Sequence, residues 1–325
     1  MKFIITIDTE ADNQWRQDGV LSLKNIYYLA RLQKLCDQYN FPVTYLVTYE
    51  VANDENASFL LKKFQQESKS EIGAHLHPWS TPPNYEFEKD GKVQVFPSEL
   101  DDNSLKLKLT NLTEKITEVF GQKPESFRAG RWGFDERLVK YLLYLGYKVD
   151  CSITPKISWI NFKGLASGKG GPDFRLATVY PYYLSEQDIC QIGQSKLLEV
   201  PMTILYTGSL IREGGALAKK FVLMPNSIVK KVLNKLFFRL KWARIFPETT
   251  IYDLKEMCYC ARKNNLPAIE FMIHSSELMP GGSPYAKDEK AVEKIYKNLE
   301  YFFRYLKDNK VEGITLGEFA RNFKK

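Results

Sequence analysis

Phe3-Ile4-Ile5-Thr6-Ile7-Asp8-Thr9-Glu10 is a β-branched, apolar run that ends in two carboxylates. A short continuous apolar run of this kind reads as a strand buried on both faces, the pattern of a parallel sheet rather than of a half-exposed antiparallel one. Asp8 and Glu10 are two apart, so their side chains leave the strand end on the same face. Taken alone, the pair fits a helix N-cap equally well, since Asp and Thr are common where a strand passes into a loop.

Working outward, the same layout recurs. The chain of 325 residues holds three histidines. Two lie in Glu71-Ile-Gly-Ala-His-Leu-His-Pro-Trp79, and the third ends the apolar run Ala268-Ile-Glu-Phe-Met-Ile-His274. Histidine is the commonest metal ligand and titrates near neutrality. His75 and His77, again two apart at a strand end, point their imidazoles one way, as a metal requires. In a parallel barrel both pairs fall at the C-terminal ends of strands, where such enzymes keep their chemistry.

Between these segments strand-like and helix-like patterns alternate. Strands are expected at 2–8, 42–47, 71–76, from Phe127, at 147–152, 197–201 and 268–274. Helices are expected at 23–39, 57–67, 104–120, 135–145 with Gly146 as C-cap, 252–264, 287–308 and 316–323. The alternation predicts an α/β protein with βα units around a parallel sheet or barrel. The stretch from about 154 to 250, rich in Gly, Pro, Tyr and Ser, reads as a long irregular insertion in the middle of one domain covering 1–325.

Composition is that of an ordinary globular protein, with 44% apolar and 26% charged residues. Five cysteines, none in a Cys-x-x-Cys pair, predict reduced thiols rather than a disulfide framework. The apolar run near the start is too short for a secretory signal, and no stretch approaches the length that spans a bilayer, so a cytoplasmic location is expected. The net charge of +7 is concentrated: residues 214–247 carry eight Lys and Arg and no acid, leaving 38 basic against 39 acidic residues elsewhere.

Arg128 and Arg131 flank a glycine in Phe127-Arg-Ala-Gly-Arg-Trp-Gly133. They read either as a solvated face or as a fixed guanidinium that keeps a nearby carboxylate ionised. Trp15, Trp79 and Trp132 each fall within a few residues of a chemical segment. Core packing is the default for any single tryptophan, but the grouping favours a stacking surface.

In this order the segments resemble the polysaccharide deacetylases of the NodB-homology type, carbohydrate esterase family 4, and within it the subgroup described as WalW-like. The resemblance covers the whole chain in outline and rests on five short motifs. It implies a distorted (β/α) barrel of seven or eight strands and hydrolysis of an N-acetyl or other N-acyl group on a sugar, in the synthesis of a cell-surface polysaccharide or glycolipid. Thr6-Ile-Asp8-Thr-Glu10 is similar to the first motif, which makes Asp8 the base and Glu10 a metal ligand. Gly73-Ala-His75-Leu-His77-Pro78 is similar to the second, which adds His75 and His77. Phe127-Arg128-Ala-Gly130 resembles the third, whose arginine orients the base. Tyr147-Lys-Val-Asp150-Cys-Ser152 resembles the fourth, in which Asp150 tunes the catalytic histidine. Phe271-Met-Ile-His274-Ser275 resembles the fifth, with His274 the acid. Trp15, Trp79, Trp132 and Arg131 are expected to line the substrate site. Two spacings depart from the family: its aspartates are adjacent where Thr9 separates Asp8 from Glu10, and its histidine pair is four apart rather than two.

One carboxylate and two imidazoles suit a divalent ion, with Zn²⁺ expected, and leave a position open for water. Such an ion activates water and polarises an acyl carbonyl. An N-acetylated glycan or lipid-linked sugar is the expected partner. A related amidase on a small non-sugar amide or ureide, and a catalytically silent carbohydrate-binding module, are the other readings. Nucleic acid is not expected, because the basic stretch lacks aromatics at base-stacking spacing. Residues 227–246 read as a basic amphipathic helix, either lying peripherally on an anionic membrane surface at the inner face or packing its apolar stripe on the barrel.

Overall fold

In the computed structural model, which describes residues 1–12, 22–85, 93–208, 211 and 213–324, strands and helices alternate along much of the chain. The strands are β1 (Lys2–Thr9), β2 (Val43–Val47), β3 (Glu71–Leu76), β4 (Ser126–Ala129), β5 (Val149–Asp150), β6 (Tyr182–Tyr183), β7 (Leu198–Glu199), β8 (Ile204–Tyr206), β9 (Leu240–Trp242), β10 (Ala268–His274) and β11 (Glu312–Gly313). The helices are α1 (Leu29–Gln38), α2 (Tyr49–Asn53), α3 (Glu55–Glu67), α4 (Asp102–Phe120), α5 (Glu136–Leu145), α6 (Ala216–Leu223), α7 (Ile228–Leu233), α8 (Ile251–Lys263), α9 (Glu289–Asp308) and α10 (Leu316–Asn322).

The main sheet runs β10-β1-β2-β3-β4-β5-β7-β6, with β11 adding a short pairing to the start of β1. Its pairings are parallel except β6–β7 at one edge. It curls into a half-barrel of eight strands, the distorted (β/α) barrel expected. β10 and β6 end the sheet and do not pair with each other among the described residues.

The two faces of β1 explain the layering. Phe3, Ile5 and Ile7 point outward into the large core shared with the helices, and each is fully buried. Burying an apolar side chain of this size contributes roughly 1.5–3 kcal/mol. The alternate residues point inward. Ile4 joins Leu46, Val149, Leu198, Leu316 and Phe319 in a small apolar cluster against α10, which closes the barrel floor. Thr6 and Asp8, farther up the same face, are polar yet buried. The interior therefore grades from apolar at the floor to charged at the rim.

The helices end where their caps dictate. Asp54, Asp101, Asp135, Thr250, Asp288 and Thr315 each accept a backbone N–H at a helix start. Gly146 terminates α5 with φ 93°, a left-handed conformation that costs glycine least.

Within the middle of the chain the strand expected over 197–201 forms as β7 and lies in the main sheet between β5 and β6. The single amphipathic helix over 227–246 is not formed. α7 passes into a wider π-type turn at Asn234–Phe238, and Arg239 then adopts φ 52°. Asn234 holds the reversal, its carbonyl accepting Arg239 N and its side-chain Oδ1 accepting Leu240 N, while Arg239 pairs with Glu256. The chain leaves as β9, antiparallel to β8. The helical stripe splits accordingly. Ala243 is buried, whereas Ile228, Val229, Val232 and Leu236 are exposed and do not pack on the barrel.

Candidate active site

β1, β3 and β10 each deliver a side chain to the rim because each ends in register with its neighbour. Asp8 pairs with His274 across β1 and β10, and His75 pairs with Arg128 across β3 and β4. His77 continues the extended backbone of β3 and so shares the face of His75. The two rings lie 4.5 Å apart.

Glu10, His75 and His77 place one donor atom each within 4.8 Å of one another, and all three residues are buried. Glu10 Oε2 is 3.4 Å from His75 Nε2 and 3.2 Å from His77 Nε2. A tetrahedral ion with bonds of about 2.0–2.2 Å sets its donors about 3.3–3.6 Å apart, so the two separations from Glu10 are close to those such an ion needs. His75 donates from Nδ1 to the Arg128 carbonyl at 3.0 Å, which leaves the Nε2 lone pair facing the cluster. His77 Nδ1 is buried without a hydrogen-bond partner among the described residues. Its ring is instead held by stacking on Trp79, 4.3 Å away. Burial, reinforced by His75, His274 and Arg131, holds the His77 pKa well below its ordinary value and keeps the imidazole neutral. Behind this pair, the buried Lys108 ammonium donates to the carbonyls of Pro78, Thr81 and Pro83 and anchors the loop after His77.

Asp8 sits beside the cluster, its Oδ2 3.8 Å from His75 Nε2 and 3.7 Å from His274 Nε2. Its other oxygen accepts from Arg128 Nη1. Burial would raise the Asp8 pKa, but the Arg128 guanidinium together with His75 and His274 outweighs it and brings the carboxyl down to about 2. Arg128 is itself fully buried and spends its other donors on Glu270, Thr6 and the Cys151 carbonyl, at 2.7, 2.9 and 3.1 Å. This is the fixed guanidinium of the sequence reading, not a solvated face. The backbone of Glu10 is clamped in turn, its carbonyl accepting from Asn25 Nδ2 at 2.8 Å and Ser275 Oγ at 3.2 Å.

His274 is oriented by a residue the sequence reading missed. Its Nδ1 faces Glu277 Oε1 at 2.8 Å, and Arg244 donates to the same carboxylate. Asp150 does not take this position. It accepts from Ser152 at 2.7 Å, and Glu199 is its carboxylate partner on the neighbouring strand β7. Burial pushes both carboxyls up, Glu199 well above its ordinary value with the Asp150 charge adding to it, so the pair retains a proton. The signal for Glu277 was present: an acid three residues after a strand-end histidine, within reach across one tight turn.

These groups open into a cavity of about 480 Å³ whose walls include Trp79, Trp132 and Arg131. Trp15 lies outside the described residues. Trp159 and Phe162, from the middle of the chain, form part of the wall as well. Their segment carried no period that would have placed them. The turn bearing Arg131 and Trp132 is tight: both residues have positive φ, 53° and 62°. Non-glycine residues in this region carry strain and concentrate at functional sites. Gly130, just before them, is needed for close approach, since a Cβ there would lie 2.2 Å from His77 Cδ2.

No protein-family model matches the chain, and no curated protein matches it. Solved structures do match. A protein assigned as a polysaccharide deacetylase from Mycobacterium smegmatis aligns with a TM-score of 0.53 at 14% identity, over 97% of this chain and 93% of that one. One of the same assignment from Pseudomonas aeruginosa PAO1 gives 0.53 at 14% identity, over 98% and 89%. The allantoinase PuuE gives 0.56 at 12% identity, over 98% and 89%. At such identities the likeness establishes the fold. The chain has the NodB-homology fold of the polysaccharide deacetylases, and an allantoinase shares it.

Proposed function

We propose that the protein is a metal-dependent hydrolase that removes an N-acetyl or other N-acyl group from a sugar in a cell-surface polysaccharide or glycolipid. One observation carries this reading: a Glu10–His75–His77 donor set with an ionised carboxylate on one side and a carboxylate-backed histidine across from it. Glu10, His75 and His77 would hold the ion, for which Zn²⁺ is the natural choice with nitrogen and oxygen donors. When bound, the ion supplies Lewis-acid polarisation of the acyl carbonyl and a more acidic water.

The chain's own residues do the remainder. Arg128 holds one oxygen of Asp8 and leaves the other facing the cavity, free to accept a proton as water attacks the acyl carbon. His274 presents Nε2 to the cavity and protonates the departing amine, which is too basic to leave as an anion. Glu277 on Nδ1 fixes the ring so that Nε2 is the nitrogen facing the cavity. Trp79, Trp132 and Trp159 offer flat apolar faces for a sugar ring, and Arg131 supplies a charged edge.

The deciding experiment measures acetate release from N-acetylated oligosaccharides by the purified protein, before and after chelation and with Zn²⁺ restored. Release that chelation abolishes and Zn²⁺ restores supports the proposal. Turnover of a ureide such as allantoin instead would transfer the chemistry to a small amide, and glycan binding without release would make the chain a binding module.

A further inference from the structure

Residues 216–238 form a projection with two apolar sides. The inner side is satisfied: Tyr206, Ala218, Phe221 and Phe238 make a small core of their own, and the rings of Phe221 and Phe238 stack 3.6 Å apart. Other large apolar side chains of the projection have no cover among the described residues. Leu217, Leu223, Ile228, Val229, Val232, Leu236 and Phe237 are between 48% and 80% exposed. They are seven of the thirteen exposed Leu, Ile, Val and Phe side chains among the described residues, gathered within a short stretch of chain. Such a concentration marks an interaction surface, whereas scattered exposed apolar residues do not.

Charge selects the occupant. Between Gly214 and Pro247 the chain has no acid. Arg239, Lys241 and Arg244 are turned back onto Glu256, Asp253 and Glu277. Lys219, Lys220, Lys231 and Lys235 are exposed and form no ion pair among the described residues. A second copy of the chain seated face to face would oppose these lysines with themselves, since a two-fold interface pairs a patch with itself. Exposed apolar residues edged by unpaired lysines are complementary to an anionic bilayer, which takes the apolar side chains into its interface and the ammonium groups at its headgroups. No helix among the described residues is long and apolar enough to cross a membrane, so the contact is peripheral.

The projection is also linked to the candidate site. A second cavity of about 520 Å³ lies against it, lined by Lys230, Lys231 and Asn234 on one side and by Ser158, Ile160 and Asn161 on the other. Trp159 and Phe162, interleaved with these last three, line the first cavity instead. One segment, 157–162, is thus a shared wall. We propose that the outer face of 216–238 docks on an anionic bilayer and so brings the first cavity to the headgroup layer, where it takes the sugar of a lipid-linked N-acylated substrate. The substrate half of this inference rests on the hydrolase reading above; the docking half does not.

Sedimentation of the full chain with vesicles tests it, using phosphatidylcholine alone and phosphatidylcholine mixed with phosphatidylglycerol. Binding is expected to the mixed vesicles at low salt and to be lost at high salt. Lys231→Glu with Lys235→Glu should weaken partitioning at least about tenfold, and Ile228→Asp should weaken it separately. Both variants should melt like the parent and release acetate from a soluble N-acetylated oligosaccharide at the parent's rate. No sedimentation with mixed vesicles at low salt, or binding unchanged in both variants, overturns the proposal. Self-association that Ile228→Asp abolishes, without vesicle binding, also overturns it and makes the face a dimer contact. No docking by the parent chain, with its soluble turnover intact, removes this inference alone, whereas docking by the parent without turnover of any N-acyl sugar removes the hydrolase reading.

Discussion

Glu277 Oε1 lies 2.8 Å from His274 Nδ1, and on the other side of the same ring Nε2 lies 3.7 Å from Asp8 Oδ2. The imidazole is therefore fixed between a supporting carboxylate and the proposed base. Burial would raise the Glu277 pKa, but Arg244 and His274 outweigh it and hold the carboxyl below its ordinary range, so Glu277 is charged at neutral pH. A charged partner on Nδ1 fixes which nitrogen faces the substrate.

His274→Ala should lower turnover by about 10²–10⁴-fold, the usual weight of a general acid, while metal content stays at the parent's level. Glu277→Gln should cost less, roughly tenfold or more, by loosening the ring orientation that the carboxylate fixes. Steady-state kinetics across pH, alongside metal analysis, checks both. Metal lost from His274→Ala would mean that the histidine is a ligand instead.

Glu10, His75 and His77 should each be required for stoichiometric metal. Alanine at any of the three leaves two donors where three converge, and elemental analysis after dialysis against dilute Zn²⁺ should show a clear loss. A full equivalent retained in both histidine variants would break the assignment.

The strand framework was legible because it rests on period and run length. β1 and β10 are largely apolar runs, β3 is a shorter strand, all three carry the chemical residues at their ends, and β1 and β10 proved to be direct neighbours. The i, i+2 pairs converged as strand geometry requires, which placed Glu10, His75 and His77 together. What failed needed contacts between distant segments. A carboxylate expected from Asp150 is supplied by Glu277, because a single turn after His274 reaches Nδ1 while Asp150 is occupied by Ser152 and Glu199. Trp159 and Phe162 lie in a stretch without helical or strand period. The helix expected over 227–246 stops because Asn234 offers both its carbonyl and its side chain to the turn, a local competition that hydrophobic spacing does not reveal.

Asp8 should make stability fall with acid. Its folded pKa of about 2 lies below the ordinary value of 3.8. A depressed carboxylate contributes stability that is fully present above its unfolded pKa and is lost as pH falls through the folded one. The gap corresponds to roughly 2 kcal/mol, present above about pH 5 and disappearing towards pH 2. Urea denaturation of the parent and of Asp8→Asn should converge as pH drops through this window. A difference that stays constant from pH 6 to about pH 3 would show that Arg128 does not depress the Asp8 pKa as the geometry requires.

Gly130→Ala should act on the metal through His77. The added methyl would fall 2.2 Å from His77 Cδ2 and 2.5 Å from the Leu76 carbonyl, and neither the ring nor a strand backbone can yield that far in place. The ring is already confined on its opposite side by Trp79. Misplacing one ligand by a fraction of an ångström is expected to weaken Zn²⁺ binding about 10- to 100-fold, the scale seen when the support of a ligand is removed. The barrel should stay folded, because Gly130 lies beyond the end of β4 and the clash reaches only the last β3–β4 pair, Leu76 with Ala129. Competition with a chromogenic chelator measures the affinity, and far-ultraviolet circular dichroism checks the fold. Parent-like affinity in a folded Gly130→Ala protein would show that His77 does not need its observed position, and would remove it from the ligand set.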